Sequence, residues 1–181
     1  DRREEAYSVT PTIDGGFAIA AFGYQGDYQD SDLWIMKLNS GGETDWERFI
    51  GGLGNEEARS IVEASDQGLV VLGNSDSYSG GDMDLWLIKI QADTEGVIEW
   101  DYIYGGASFD SGDHLTASSD GYVIAGKTTF GIHEKPWMLK VDLEGNEVFS
   151  NTAEYMGNFL SVVSDSSGYV FAGYRNTGTD E

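Results

Sequence analysis

The feature that most constrains this chain is a repeat. Turn glycines recur at Gly16, Gly68, Gly121 and Gly168, spaced 52, 53 and 47 residues apart. Tryptophans recur in step at Trp34, Trp86 and Trp137, and each is followed three residues on by a lysine: Lys37, Lys89 and Lys140. Apolar runs, turn residues and single polar positions repeating together at one period mark an array of like units. Each unit in such an array buries its apolar face against its neighbours.

The second unit is the clearest. Ala58–Ala64 and the stretch Gly68–Gly106 hold four short runs rich in Val, Ile, Tyr, Trp and Phe, which favours strand over helix. An acidic residue precedes glycine in the first turn of each unit, as in Asp14-Gly15-Gly16 and Asp66-Gln67-Gly68. There Asp caps the turn and Gly supplies positive φ at no steric cost. In the fourth run, Ile98, Trp100, Tyr102 and Tyr104 alternate with Glu99 and Asp101, the pattern of a half-exposed strand. The third run is apolar on both faces, with Leu85 and Leu87 on one and Trp86, Ile88 and Ile90 on the other. A strand of that kind has to be sandwiched. The expected fold is all-β, an array of four-stranded antiparallel sheets stacked face to face, with the last strand of each at the rim. The units span 6–52, 58–106, 113–154 and 155–174, about three and a half in a single domain over 1–181. In the third unit, Thr128–Lys135 is expected to be a divergent connection between strands.

Composition sets limits on partners. The formal charge is −22, from 32 acidic against 10 basic residues. That excludes the Lys/Arg-rich surface on which nucleic-acid binding depends, and it disfavours anionic lipid. No apolar run reaches the roughly 18–20 residues that cross a bilayer, so membrane insertion is not expected. There is no cysteine, so no disulfide supports the fold. Acidity of this degree suits solubility in a salty or extracellular medium. The chain opens at Asp1 without a signal peptide, which reads as a processed chain or a fragment. No stretch before Ala6 supplies a third and fourth run for the last unit.

The series Asp-Gly-Gly-Phe at 14–17, Asp-Leu-Trp-x-x-Lys at 32–37 and 84–89, then Glu-Trp at 99–100 and Gly-Gly at 105–106, resembles the repeats of secreted bacterial and archaeal β-propeller proteins. The resemblance runs from Ala6 to Tyr174, and the order of runs is similar to the tryptophan–aspartate (WD-type) blade. It implies a β-propeller-like array, with the first run of each blade lining the axis and the fourth at the rim. Such arrays close into rings of about 4–8 blades. The blades needed beyond these would come from the same parent chain or from another protein chain.

By that blade order, the second-to-third and fourth-to-first connections emerge on one face. It collects Asp27, Asp30, Asp32, Asp76, Asp82 and Asp84, joined by Glu56, Glu57, Asp110 and Asp113. Calcium takes six to eight oxygen ligands, so Asp27, Asp30, Asp32, Asp82 and Asp84 are the candidate metal ligands. The competing account is solvated loop acids that cap strand ends. Tyr24, Tyr28, Tyr78 and Phe109 fall in connections on the same face and are the candidate ligand-binding residues. The three lysines either pair with acids or pack their stems and send their heads to solvent, and the second is favoured. The periodic tryptophans read as packing between units. His114 and His133 show neither catalytic nor metal-ligand spacing and read as surface or loop residues.

No catalytic residue is assigned. The expected function is a non-enzymatic extracellular or cell-surface scaffold or binding module, in adhesion or in contact with glycan or protein. The alternative is part of a propeller glycoside hydrolase or lyase that uses the acidic-face carboxylates.

Overall fold

The computed structural model describes residues 3–25, 30–78, 82–91 and 96–177, and among them are fourteen strands and no helix. The first antiparallel sheet runs β1 (Glu5–Pro11), β2 (Phe17–Gly23), β3 (Asp32–Leu38) and β4 (Thr44–Ile50). The second runs β5 (Glu56–Glu63), β6 (Leu69–Ser75), β7 (Asp84–Ile90) and β8 (Ile98–Tyr104). The third runs β9 (Asp110–Ser118), β10 (Gly121–Phe130), β11 (His133–Val141) and β12 (Glu147–Thr152). A two-stranded sheet, β13 (Gly157–Asp165) with β14 (Gly168–Arg175), ends the series. The all-β class and the repeat of four runs are thus as expected.

The turns form as the residues dictate. The Asp14 carboxylate accepts the Gly16 N–H at 2.9 Å, and Asp66 accepts that of Gly68 at 3.0 Å. Asp142 caps the β11–β12 turn by accepting the N–H of Glu144 and of Asn146.

Two expectations need correction. Register shifts recur at the pairing of third and fourth strands, between Lys37 and Leu38, Lys89 and Ile90, and Lys140 and Val141. A bulge flips the side chain beyond it to the other face. Ile98 therefore joins Ile103 in the core between the first and second sheets, while Trp100 and Tyr104 face the third. The expected connection Thr128–Lys135 is not a loop. β10 and β11 pair residue for residue up to Phe130↔His133, closed by Gly131 at φ 65° and Ile132. Gly131 supplies the positive φ of this two-residue turn, and the β-branched Thr128 and Thr129 extend the ladder.

The core lies in three seams between successive sheets. The first strand of each unit packs against the first three strands of the unit before, so contact concentrates on the inner strands. Ile35, Val71, Trp86 and Ile88 fill the first seam; Leu72, Leu87, Ile124, Trp137 and Leu139 fill the second. Burying a side chain of this size contributes about 1.5–3 kcal/mol. The third seam is smaller, built on Val123, Ala125 and Val162. β6 and β7 are buried at every residue, as the two-sided apolar pattern requires. The outward faces of the end sheets stay open, exposing Tyr7, Val9 and Phe17 at one end and Leu160, Val163 and Val170 at the other.

The recurring lysines are buried and paired, which is the other of the two expectations. Lys37 Nζ donates to Asp14 at 2.7 Å, Lys89 pairs with Asp66 and with Glu99, and Lys140 pairs with Asp120. Each ammonium meets the turn aspartate of its own unit. The lysine hydrogen bond is the first cause holding Asp14, Asp66 and Asp120 below the usual carboxylate range. A lowered folded-state pKa contributes stability above the ordinary carboxylate pKa, and that stability is lost as pH falls through the lowered value. Asp66→Ala is expected to cost about 1–2 kcal/mol in urea unfolding, because a buried ammonium loses its nearer carboxylate. Lys89→Met, which keeps the packed stem, should cost less. The reverse order would mean that the ammonium is held by more than Asp66, with the Glu99 pair carrying the site.

Candidate functional site

Each of the first two seams carries a pair of carboxylates drawn from consecutive units. In the first, Asp32 opens β3 and Glu56 opens β5; in the second, Asp84 opens β7 and Asp110 opens β9. The glycine after each fourth strand makes room for them. A Cβ at Gly51 would overlap Asp32 Oδ1 and Glu56 Oε2 at once. One at Gly105, at φ 151°, would overlap Asp84 Oδ1 and lie 2.9 Å from Asp110 Oδ2. Glycine is required here by close approach of side-chain oxygens, not by a phosphate or a turn.

The second member of each pair is held by neutral donors. Glu56, fully buried, accepts Ser75 Oγ–H at 2.6 Å and the Gly52 N–H at 2.9 Å. Asp110 accepts the Gly106 N–H at 2.7 Å and the Thr129 N–H at 3.3 Å. The first member is less well served. Asp84 is 3% exposed, and no donor reaches its buried Oδ1. Burial, and next the charge of Asp110, push its carboxyl up to about 6. Burial, then Glu56 and Asp30, raise Asp32 in the same direction. Two carboxylates about 4 Å apart repel by about 4 kcal/mol at an effective dielectric of 20, so such a pair needs a compensating charge or a proton.

The expected metal ligands divide. Asp27 lies outside the described residues. Asp30 is half-buried and Asp82 exposed, and each acts on its seam aspartate through charge. Asp32 and Asp84 are brought to their partners from the next unit, 24 and 26 residues further on. Among the described residues no group of three or more Asp, Glu, His or Cys side chains is arranged to enclose a metal ion.

The expected ligand-binding aromatics are mostly engaged. Tyr28 lies outside the described residues. Tyr78 donates its hydroxyl to the Gly51 carbonyl at 2.7 Å and packs on Trp86 at 4.9 Å, so it closes its own loop. Phe109 is half-buried with Lys127 Nζ 5.1 Å above its ring, and Tyr24 is half-buried. His133 opens β11, its Nδ1 3.1 Å from Met156 Sδ; His114, in β9, has its pKa lowered by burial.

A cleft that the sequence did not signal opens beside the second pair. It has a volume of about 560 Å³ and is lined in part by Tyr104, Trp137 and Phe130, with Asp110, Glu147 and Thr129. The extended β10–β11 hairpin supplies Phe130, half of whose surface is exposed. That wall exists because the hairpin replaces a loop. A smaller cleft, about 260 Å³, lies at the first pair between Asp30, Asp32, Phe49 and Gly51 to Leu53.

No family model and no curated protein sequence matches the chain. A solved structure similar to it is a protein of unknown function from Bacteroides caccae, crystallised at 1.35 Å resolution. The likeness has a TM-score of 0.55 at 11% identity and covers 93% of this chain and 52% of the other. At that identity the likeness extends to the fold alone, and the chain spans about half the length of that structure.

Proposed function

We propose that this chain is part of a β-propeller that serves as a non-enzymatic extracellular or cell-surface binding module, with carbohydrate as its ligand class. The observation that carries the reading is the cleft beside the second seam. Its volume falls in the range of small-ligand sites, roughly 300–1,000 Å³. It sets aromatic surface from Tyr104, Trp137 and Phe130 beside the hydroxyl and carboxylate groups of Thr129, Asp110 and Glu147. A sugar ring has an apolar face and a polar rim, and this arrangement suits both. The propeller reading is supported by sheets that pack in sequence through their inner strands. The open apolar faces at both ends support cover by further blades of the same parent chain or by another protein chain. The charge of −22 and the absence of cysteine suit an extracellular location without disulfides.

The alternative is a propeller glycoside hydrolase or lyase. It is favoured by an acid held near pH 6 beside a second carboxylate. Against it, Asp84 is buried beneath Gly105, and the same pair recurs in the first seam. A glycan array paired with a hydrolysis screen tests both. Glycan binding without turnover, weakened about tenfold or more in Phe130→Ala, is the expected outcome. Turnover abolished by Asp84→Asn would replace the module with the enzyme.

A further inference from the structure

The carboxylate pairs have a feature that the clefts beside them leave unexplained. In neither seam does a lysine or arginine pair with them. The recurring lysines pair with the turn aspartates, and Lys89 with Glu99 as well, and none of Asp32, Glu56, Asp84 and Asp110 has an ion-pair partner among the described residues. Yet Glu56, Asp84 and Asp110 are buried and Asp32 is half-buried, and no donor reaches Asp84 Oδ1.

The third unit acts as an internal control. Counting from the recurring tryptophan, the position of Asp32 and Asp84 is held by Lys135. Register across the first two strands of each unit puts Gly157 where Glu56 and Asp110 stand. Register across the third and fourth strands puts Glu154 where Gly51 and Gly105 stand. Both acids and the glycine that accommodates them are thus replaced together, and a lysine brings positive charge to the first acid's place. The three residues behave as one device, and where the device is present the protein supplies no cation of its own.

We propose that each of the first two seams binds a hard divalent cation of the calcium class, between Asp32 and Glu56 in one and between Asp84 and Asp110 in the other. The donors are oxygens with no histidine or cysteine among them, which selects calcium or magnesium over zinc or copper. Two carboxylates per seam supply the charge, and water completes the shell. Each ion joins the third strand of one unit to the first strand of the next, so it ties successive sheets together. This inference shares Asp110 with the carbohydrate reading but does not depend on the aromatic wall of the cleft.

Calorimetric titration of the full chain with calcium chloride at pH 7.5 tests it, beside thermal unfolding in calcium and in chelator. The expected stoichiometry is two ions per chain. Calcium in hundredfold excess over Kd at both sites should raise Tm by about 10–20 °C. Asp84→Lys combined with Asp110→Gly puts the third seam's residues at the two acid positions and should leave one site; adding Asp32→Asn should leave none. Phe130→Ala should keep both ions, which separates this proposal from the ligand reading. The proposal is overturned by absence of calcium heat and Tm shift in the wild type, a result that needs no variant to fold. An unchanged stoichiometry in the folded seam variants overturns it too. A wild-type Tm that ignores calcium but climbs as pH falls from 7 to 5, with no such climb in Asp84→Asn, overturns it in favour of a shared proton.

Discussion

Truncating Trp86 to alanine is expected to cost about 4 kcal/mol in urea unfolding, and the same change at Trp34 about 1–2 kcal/mol. The two residues are chemically alike. Each indole N–H donates to an acid on the fourth strand of its own sheet, Trp34 to Glu47 at 3.1 Å and Trp86 to Asp101 at 3.0 Å. They differ in cover. Trp86 is 2% exposed within the first seam, whereas Trp34 lies half-buried on the open face of the first sheet, stacked on Phe49 at 5.4 Å. Removing Trp86 leaves a cavity lined by two sheets; removing Trp34 exposes a surface already in contact with water. Equal costs would show that the open face is covered in solution by another chain.

Asp84→Asn is expected to stabilise the protein at pH 7.5 in chelator by up to about 3 kcal/mol, with the difference closing near pH 4. The folded-state pKa of Asp84 is raised, from 3.8 to about 6. A raised value favours the neutral acid in the folded state. Its stabilising effect is therefore complete below the ordinary pKa and is lost as pH rises through about 6. Asparagine keeps the shape and never ionises, so it escapes that loss. Denaturant unfolding at pH 4, 5, 6 and 7.5 measures the difference. A variant less stable than the wild type at pH 7.5 would mean that the charged carboxylate is already compensated, and would sink the idea of an uncompensated buried acid. Calcium should shrink the advantage of the variant, since it would stabilise the charged pair that asparagine breaks.

Much of the architecture was legible in the sequence because it depends on local chemistry repeated at a fixed interval. An Asp before Gly caps its own turn within a few residues, and a strand apolar on both faces, such as Leu85–Ile90, has to lie between two layers. The tryptophans and lysines declared themselves by keeping step. The bulges did not. Ile98 alternates correctly with Trp100 in the sequence, and only the pairing of β8 with β7 shifts it to the other face. The hairpin at Phe130 was hidden for a related reason: loss of the acidic cluster seen in the other units removed the pattern being followed, although Thr128 and Thr129 are good strand residues.

At the candidate site the division is sharper. The sequence by itself placed Asp32, Asp84, Glu56 and Asp110 at like positions in the repeat, and the blade order of the resemblance implied that they share a face. It said nothing of which acids would meet, nor that Asp84 would be buried while Asp82, two residues earlier, stays exposed. Those outcomes depend on how one sheet is offset against the next, a quantity with no local signature. Burial of a charge and the distance to its neighbour are properties of two strands from different units, brought together by the apolar seam between them, and only the tertiary structure decides them.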